Sequence, residues 1–155
     1  MAGRIESRLS ELAIQLPTPA TPAAMYVPFV TVGNLVFIAG QIPSWAGERK
    51  YIGRVGVEFS LDEGKAAARL VGLHVLAQLK AACEGDLDRV VRCVRLGGFV
   101  ACPAEFVDHP AVINGASELM IQVFGDAGKH ARAAVGSSSL PFGVAVEIDA
   151  IFEIR

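Results

Sequence analysis

Two charged residues near the end of the chain, Arg132 and Glu147, are the strongest candidates for chemistry. Arg132 lies in an apolar run, residues 131–135, whose small neighbours leave room around its guanidinium. A guanidinium is a planar fork of N–H donors that stays charged when buried, which suits a carboxylate. The pattern predicts an anion-binding arginine; the alternative is that Arg132 only satisfies a neighbouring carbonyl or acid.

Glu147 lies in a run of alternating residues, 144–149, in which Glu147 and Asp149 share one strand face and the apolar residues share the other. A carboxylate beside an apolar interface can have its pKa raised towards neutrality and then accept a proton from water, whereas a nearby arginine would lower that pKa. The alternative is a solvated acidic strand face.

The remaining polar residues do not form a motif for a metal or a nucleotide. The three histidines lack the helical spacing of a two-ligand metal site, and only His130, which adjoins Arg132, stays a site candidate. No glycine motif matches a dinucleotide or phosphate loop. The three cysteines are predicted to be reduced, buried thiols. The sequence therefore predicts no cofactor and no metal.

Hydrophobic periodicity and turn residues predict the elements that must position these side chains. Helices are expected over residues 5–16, from a Ser60–Glu63 capping box to a stop at Gly85, and from Pro110 to Gly125. Strands are expected over residues 26–31, 35–39, 90–102, 131–136 and 144–154, the first two joined by a turn at Gly33-Asn34. Residues 44–56 are predicted to be a loop with a short strand around Tyr51 and Ile52.

The order β-β-α-β-α-β-β predicts an α+β fold, in which a mixed sheet carries two helices on one face. Residues 1–21 are expected to be a helical arm and proline-rich linker, and residues 22–155 the domain. Hydrophobic residues make up 52% of the chain, so the open sheet face is expected to be covered by further copies in a homo-oligomer.

The charge and hydropathy of the chain restrict the classes of partner that it is expected to bind. The net charge of −2 gives no field that would collect polyanions, so nucleic-acid binding is disfavoured. The most apolar run, residues 66–83, is interrupted by charged and polar residues, and residues 1–16 do not resemble a secretion signal. The sequence therefore predicts a cytoplasmic protein without a membrane span.

The C-terminal run 131–141, ARAAVGSSSLP, followed by Val146-Glu147-Ile148, resembles the signature of the YjgF/RidA family. Residues 22–24, 32–43 and 90–114 agree as well, so the resemblance covers nearly the whole chain apart from the N-terminal arm. It implies a chorismate-mutase-like fold and a barrel-forming homotrimer with clefts between subunits. The sequence is similar to a divergent subgroup of this family that has an N-terminal helical extension.

The resemblance implies a site and an activity. A well-studied branch of the family hydrolyses enamine and imine acids, such as 2-aminoacrylate or 2-iminobutyrate, to 2-keto acids and ammonia. By this resemblance Arg132 holds the substrate carboxylate, Glu147 positions or activates water, Asn114 lines the site, and Tyr26 is a loose counterpart of a substrate-packing tyrosine. The partner implied is a small carboxylate-bearing metabolite.

The sequence departs from that branch at two positions. Ala39, before Gly40, replaces a serine, and Ala134 replaces a cysteine. Both changes predict a smaller and less polar cleft. This leaves open a regulatory trimer that binds a carboxylate metabolite without catalysis, while the ribonuclease or translation-inhibitor activity attached to the family is disfavoured by the charge.

Overall fold

The computed structural model describes residues 2–155. One five-stranded sheet and two helices form the domain, and the strand order is β1-β2-β7-β5-β6. Its strands are β1 (Phe29–Val32), β2 (Leu35–Gln41), β5 (Val90–Ala101), β6 (Ala131–Ser137) and β7 (Val146–Ile154). The β5–β6 pair is parallel and the other pairs are antiparallel. The predicted α+β fold with a mixed sheet is confirmed.

Two long helices, α2 (Leu61–Ala82) and α3 (His109–Phe124), pack on each other and on one face of the sheet. The Ser60–Glu63 capping box is formed, and it satisfies two amides that the first turn of α2 leaves unpaired. A Cβ at Gly115 of α3 would collide with the backbone carbonyl of Lys65, so glycine allows the two helices to approach closely. This contact fixes α3, and with it Asn114, against the rest of the domain.

The N-terminal helix α1 (Arg4–Glu11) is shorter than predicted. The prediction of a helix to Leu16 is wrong because Ala13 adopts a left-handed conformation, with φ of 54°, which ends the helix. Residues 12, 14 and 16, which follow the helix, nevertheless pack on the core. The Asp88 carboxylate accepts hydrogen bonds from the first helical amides, of Arg4 and Ile5, so the arm is fixed to the domain at its start.

Two further differences from the predicted elements lie near the site. Tyr26 is not in a strand: Pro28, which lacks an amide donor, precedes β1, and residues 23–26 form bends. The predicted loop contains a small hairpin, β3 (Ser44–Trp45) and β4 (Glu48–Arg49), while the expected strand at residues 51–52 is a single bridge from Ile52 to Val144. Both segments extend beyond the sheet and form walls of the cavity described below.

The sheet face away from the helices carries exposed apolar side chains. On this face Val30 pairs with Phe37, and Phe37 pairs with Ile151; Val30 and Phe37 remain 49% and 41% exposed. The same face carries an ion pair between Arg95 and Asp149, at 3.2 Å. This open face matches the surface that the sequence analysis expects a second copy to cover.

Candidate functional site

The two principal candidates, Arg132 and Glu147, do not meet within one protomer. Arg132 of β6 pairs with the buried Leu96 of β5, whereas Glu147 of β7 pairs with Phe99 on the opposite side of β5. Two strand spacings and three residues along β5 separate their Cα atoms by about 14 Å. Because residues 96 and 99 point to opposite sheet faces, Arg132 points to the helix side and Glu147 to the open face. Each residue therefore belongs to its own half-site.

We call the first the acid half-site, formed by Glu147, Gly40 and Tyr26. All three line a cavity of about 900 Å³. Gly40 leaves room for the carboxylate, because a Cβ there would lie 3.0 Å from Cδ of Glu147. The structure thus brings two of the predicted site residues, Glu147 and Tyr26, to one cavity, and Gly40, which follows the substituted Ala39, lies beside them.

Glu147 has the electrostatics of a proton acceptor. It is half-buried, and this burial raises the pKa of its carboxyl above the ordinary value; the negative charge of Asp149 on the same face raises it further. Arg132 is too far away in the same protomer to lower that pKa.

We call the second the arginine half-site, formed by Arg132, Asn114, Ser117 and His130. The Arg132 guanidinium donates from Nη1 to Oγ of Ser117, at 3.0 Å, and from Nη2 to the carbonyl of Pro110, at 3.2 Å. Asn114 is one helical turn from both contacts, on the same face of α3. A guanidinium has five N–H donors, so these bonds fix its plane and leave three donors for a ligand.

His130 supports Arg132 through Ser117. Nδ1 of His130 lies 2.7 Å from the Gly128 carbonyl and therefore carries the proton, so Nε2 accepts from the Ser117 hydroxyl at 2.9 Å. Burial lowers the pKa of His130, and the Arg132 charge lowers it further, against the opposing effect of the Gly128 bond. The ring stays neutral, and Ser117 can accept from Arg132 while donating to His130. Ser117, which sequence reasoning missed, shares a helix face with Asn114 at i+3.

The alanines that replace polar family residues do not narrow the cavity. Neither Ala39 nor Ala134 is among its lining residues, and its volume is about 900 Å³; Ala134 packs instead against the core. The smaller cleft is predicted between subunits, and this cavity is only one protomer's part of it, so it stays a prediction. The three cysteines are free and buried, as predicted. Burial raises the pKa of Cys93 to about 12, so this thiol is not a nucleophile at neutral pH.

Sequence reasoning also missed much of the wall of the acid half-site. The β3–β4 hairpin contributes Trp45 and Arg49, the turn before β7 contributes Phe142, and the linker contributes residues 15–24. The Arg49 guanidinium stacks over the Phe142 ring, 3.6 Å from its centroid. The lone tryptophan in a glycine-rich loop was the one sequence signal that could have indicated this wall.

The structure contains no group of three or more histidine, cysteine, aspartate or glutamate side chains suited to a metal ion within residues 2–155. Within the same residues, no helix is both long and apolar enough to cross a bilayer.

Comparison with known proteins identifies a family model and relatives that match nearly the whole chain. The family model described as "YjgF/chorismate_mutase-like, putative endoribonuclease" matches residues 6–151. Protein TCP17 of Trypanosoma cruzi is 44% identical over 155 residues, which span 99% of this chain and 96% of that protein.

Two solved structures share the whole fold. A protein of Agrobacterium tumefaciens is 48% identical with a TM-score of 0.91, over 97% of this chain and 92% of the other. A protein of Shewanella oneidensis, titled a putative endoribonuclease, is 34% identical with a TM-score of 0.94, over 98% and 100% of the two chains. The similarity therefore includes the N-terminal arm as well as the domain.

Proposed function

The chain belongs to the YjgF/chorismate-mutase-like, putative endoribonuclease family, and on that premise we propose that it is a cytoplasmic hydrolytic deaminase. Its substrates are reactive enamine and imine acids of the 2-aminoacrylate or 2-iminobutyrate type, and its products are 2-keto acids and ammonia. The observation that carries the proposal is a half-buried glutamate of raised pKa in a large cavity, in a chain that also holds an oriented arginine with unused donors.

The active unit in this proposal is a homotrimer whose clefts join the acid half-site of one copy to the arginine half-site of the next. Two features support it. The half-sites point to opposite faces of one sheet and cannot act together in one protomer. The open face also exposes apolar side chains, including Val30, Phe37 and Val135, which association would bury.

The reaction follows from these residue types. Arg132 of one copy binds the substrate carboxylate and directs the electrophilic imine carbon towards Glu147 of the next. Glu147 accepts a proton from water as the water oxygen bonds to that carbon, and returns the proton to nitrogen. The carbon–nitrogen bond of the carbinolamine then breaks as the hydroxyl proton passes through Glu147 to the departing nitrogen, and a 2-keto acid and ammonia leave. These steps use the chain's own side chains and water.

The test is ammonia release from 2-iminobutyrate generated in place by an amino-acid oxidase. We expect wild type to accelerate release, and Arg132→Ala to lower kcat/KM at least tenfold, since a charge-assisted hydrogen bond contributes about 1.5–3 kcal/mol. Val107→Ala is the matched control, because Val107 is exposed and lies outside both half-sites. Equal rates for wild type and Arg132→Ala would refute the carboxylate anchor.

Two other functions would give different results. Thermal stabilisation by 2-keto acids without turnover of any imine would indicate a metabolite-binding regulatory trimer. Cleavage of RNA that is abolished by Glu147→Gln would support the nuclease activity named in the family description, although the net charge of −2 does not favour it.

A further inference from the structure

We propose that the cavity of the acid half-site is a side-chain pocket for imine acids with a large aromatic side chain. The inference rests on the proposed function and specifies its substrate class. It depends on the size of the cavity, on the aromatic residues in its wall, and on the neutral state of a buried histidine in that wall.

The cavity is much larger than 2-iminobutyrate requires. Its volume of about 900 Å³ is near the upper end of the roughly 300–1,000 Å³ typical of pockets that enclose drug-sized ligands. The cavity wall includes Glu147 and Gly40 together with the proline-rich linker, the β3–β4 hairpin and the turn before β7. A substrate that fills this space must extend well beyond the reacting carbon.

Three aromatic side chains line the space while remaining partly exposed. Tyr26 is 51% exposed, Trp45 is 37% exposed and Phe142 is 49% exposed. The chain has one tryptophan and two tyrosines, so its only tryptophan and one tyrosine lie at this cavity. Contact between an aromatic ring and water is unfavourable. An apolar or aromatic group bound in the cavity would remove this contact by packing on the rings in offset or edge-to-face geometry.

The backbone at Phe142 shows that this ring has a fixed place. Phe142 adopts a left-handed conformation, with φ of 60°, which costs free energy in any residue but glycine. Arg49 stacks on the ring and holds its plane. The Phe142 ring is therefore a fixed part of the cavity wall.

A buried histidine, His74, also lines the cavity and is 3% exposed. Its Nε2 lies 2.7 Å from the Ser44 carbonyl and so carries the proton. Burial lowers the pKa of His74 against the effect of that bond, so the ring is neutral and places no charge against an apolar occupant. Its Nδ1 has no hydrogen-bond partner within residues 2–155, so a water or a polar atom of the occupant must satisfy it.

The test compares imines generated from L-phenylalanine and from L-2-aminobutyrate by an amino-acid oxidase, with semicarbazide trapping to measure the imine that remains. We expect kcat/KM for the phenylalanine-derived imine to be about 10- to 100-fold higher, because the aromatic side chain is buried in the pocket. Phe142→Gly, which suits the left-handed backbone, should lower this ratio at least fivefold, and Trp45→Ala should lower it in the same direction. Met25→Ala is the control, since Met25 is fully exposed and outside the cavity, and its ratio should equal that of wild type.

The outcomes distinguish this inference from the proposed function. Hydrolysis of 2-iminobutyrate at least as fast as the aromatic imine overturns the inference and leaves the deaminase function intact. If neither imine is hydrolysed, the deaminase function is refuted. The pocket is then tested by binding of the product 2-keto acids. Tighter binding of phenylpyruvate than of 2-oxobutyrate, lost in Phe142→Gly, supports the pocket, whereas equal affinity overturns it.

Discussion

Gly40→Ala places a methyl group against the proposed proton acceptor. The added Cβ would lie 3.0 Å from Cδ and 3.3 Å from both Cγ and Oε2 of Glu147. Carbon atoms prefer separations of about 3.5–4.0 Å, so the Glu147 carboxylate must give way by a few tenths of an ångström. Gly40 does not have a positive φ, and alanine therefore fits the backbone without strain.

The expected effect of Gly40→Ala is on kcat. A displacement of this size approaches the tolerance of about 0.5 Å for a catalytic group, and a 1 Å error can cost about 100-fold. We expect kcat for 2-iminobutyrate to fall several-fold, up to about tenfold. KM should change less than about threefold, because the carboxylate anchor Arg132 is not touched. Thermal unfolding should shift little, since the half-buried Glu147 side chain can move.

A double-mutant cycle with Glu147→Asp shows whether the methyl group acts through Glu147. Aspartate lacks the methylene that the new Cβ contacts, so Gly40→Ala should cost much less in the Glu147→Asp background than in wild type. Wild-type kcat in a correctly folded Gly40→Ala variant would refute the reasoning. Equal, additive losses in the two backgrounds would refute it as well.

Three other perturbations test separate parts of the structure. Ser117→Ala removes the hydroxyl that links Arg132 to His130. Loss of one such hydrogen bond, about 0.5–1.5 kcal/mol, should raise KM for 2-iminobutyrate several-fold. An unchanged KM would show that Arg132 is positioned without Ser117. Asp149→Asn removes a negative charge that raises the pKa of Glu147, so Glu147 should stay ionised at lower pH. The acid limb of the kcat–pH profile should therefore move to lower pH. An acid limb that stays in place or moves to higher pH contradicts the assignment of Glu147 as proton acceptor. Ile5→Ala removes a side chain that is 1% exposed and should lower the free energy of unfolding in urea by about 2–5 kcal/mol. Glu11→Ala, at an exposed position of the same helix, should have little effect. Equal effects of the two substitutions would mean that the arm does not unfold cooperatively with the domain.

Local sequence signals predicted most of the elements, because each depends on neighbours in the chain. The capping box at Ser60 and the positive φ of Gly33 and Gly85 formed as the residue types indicated. The β3–β4 hairpin was missed because its turn uses Ala46 with φ of 52° before Gly47 with φ of 83°. Alanine gives no signal for a left-handed conformation.

The division of the site could not be predicted from local patterns. Alternation places Glu147 and Asp149 on one strand face, and the structure agrees. The faces of β6 and β7 relative to each other depend on the insertion of β5 between them, which is a long-range pairing. The same applies to the cavity wall, where segments distant in sequence converge on Glu147.

The central claim is that one copy supplies Arg132 and another supplies Glu147. The most direct measurement mixes Arg132→Ala and Glu147→Gln subunits, each inactive alone, by co-refolding at equal amounts, and records hydrolysis of the preferred imine. In a mixed trimer a cleft is intact when one neighbour keeps the glutamate and the next keeps the arginine, so about a quarter of wild-type activity should return. No recovery in mixed oligomers, with wild-type subunits regaining activity under the same refolding conditions, would contradict the shared site.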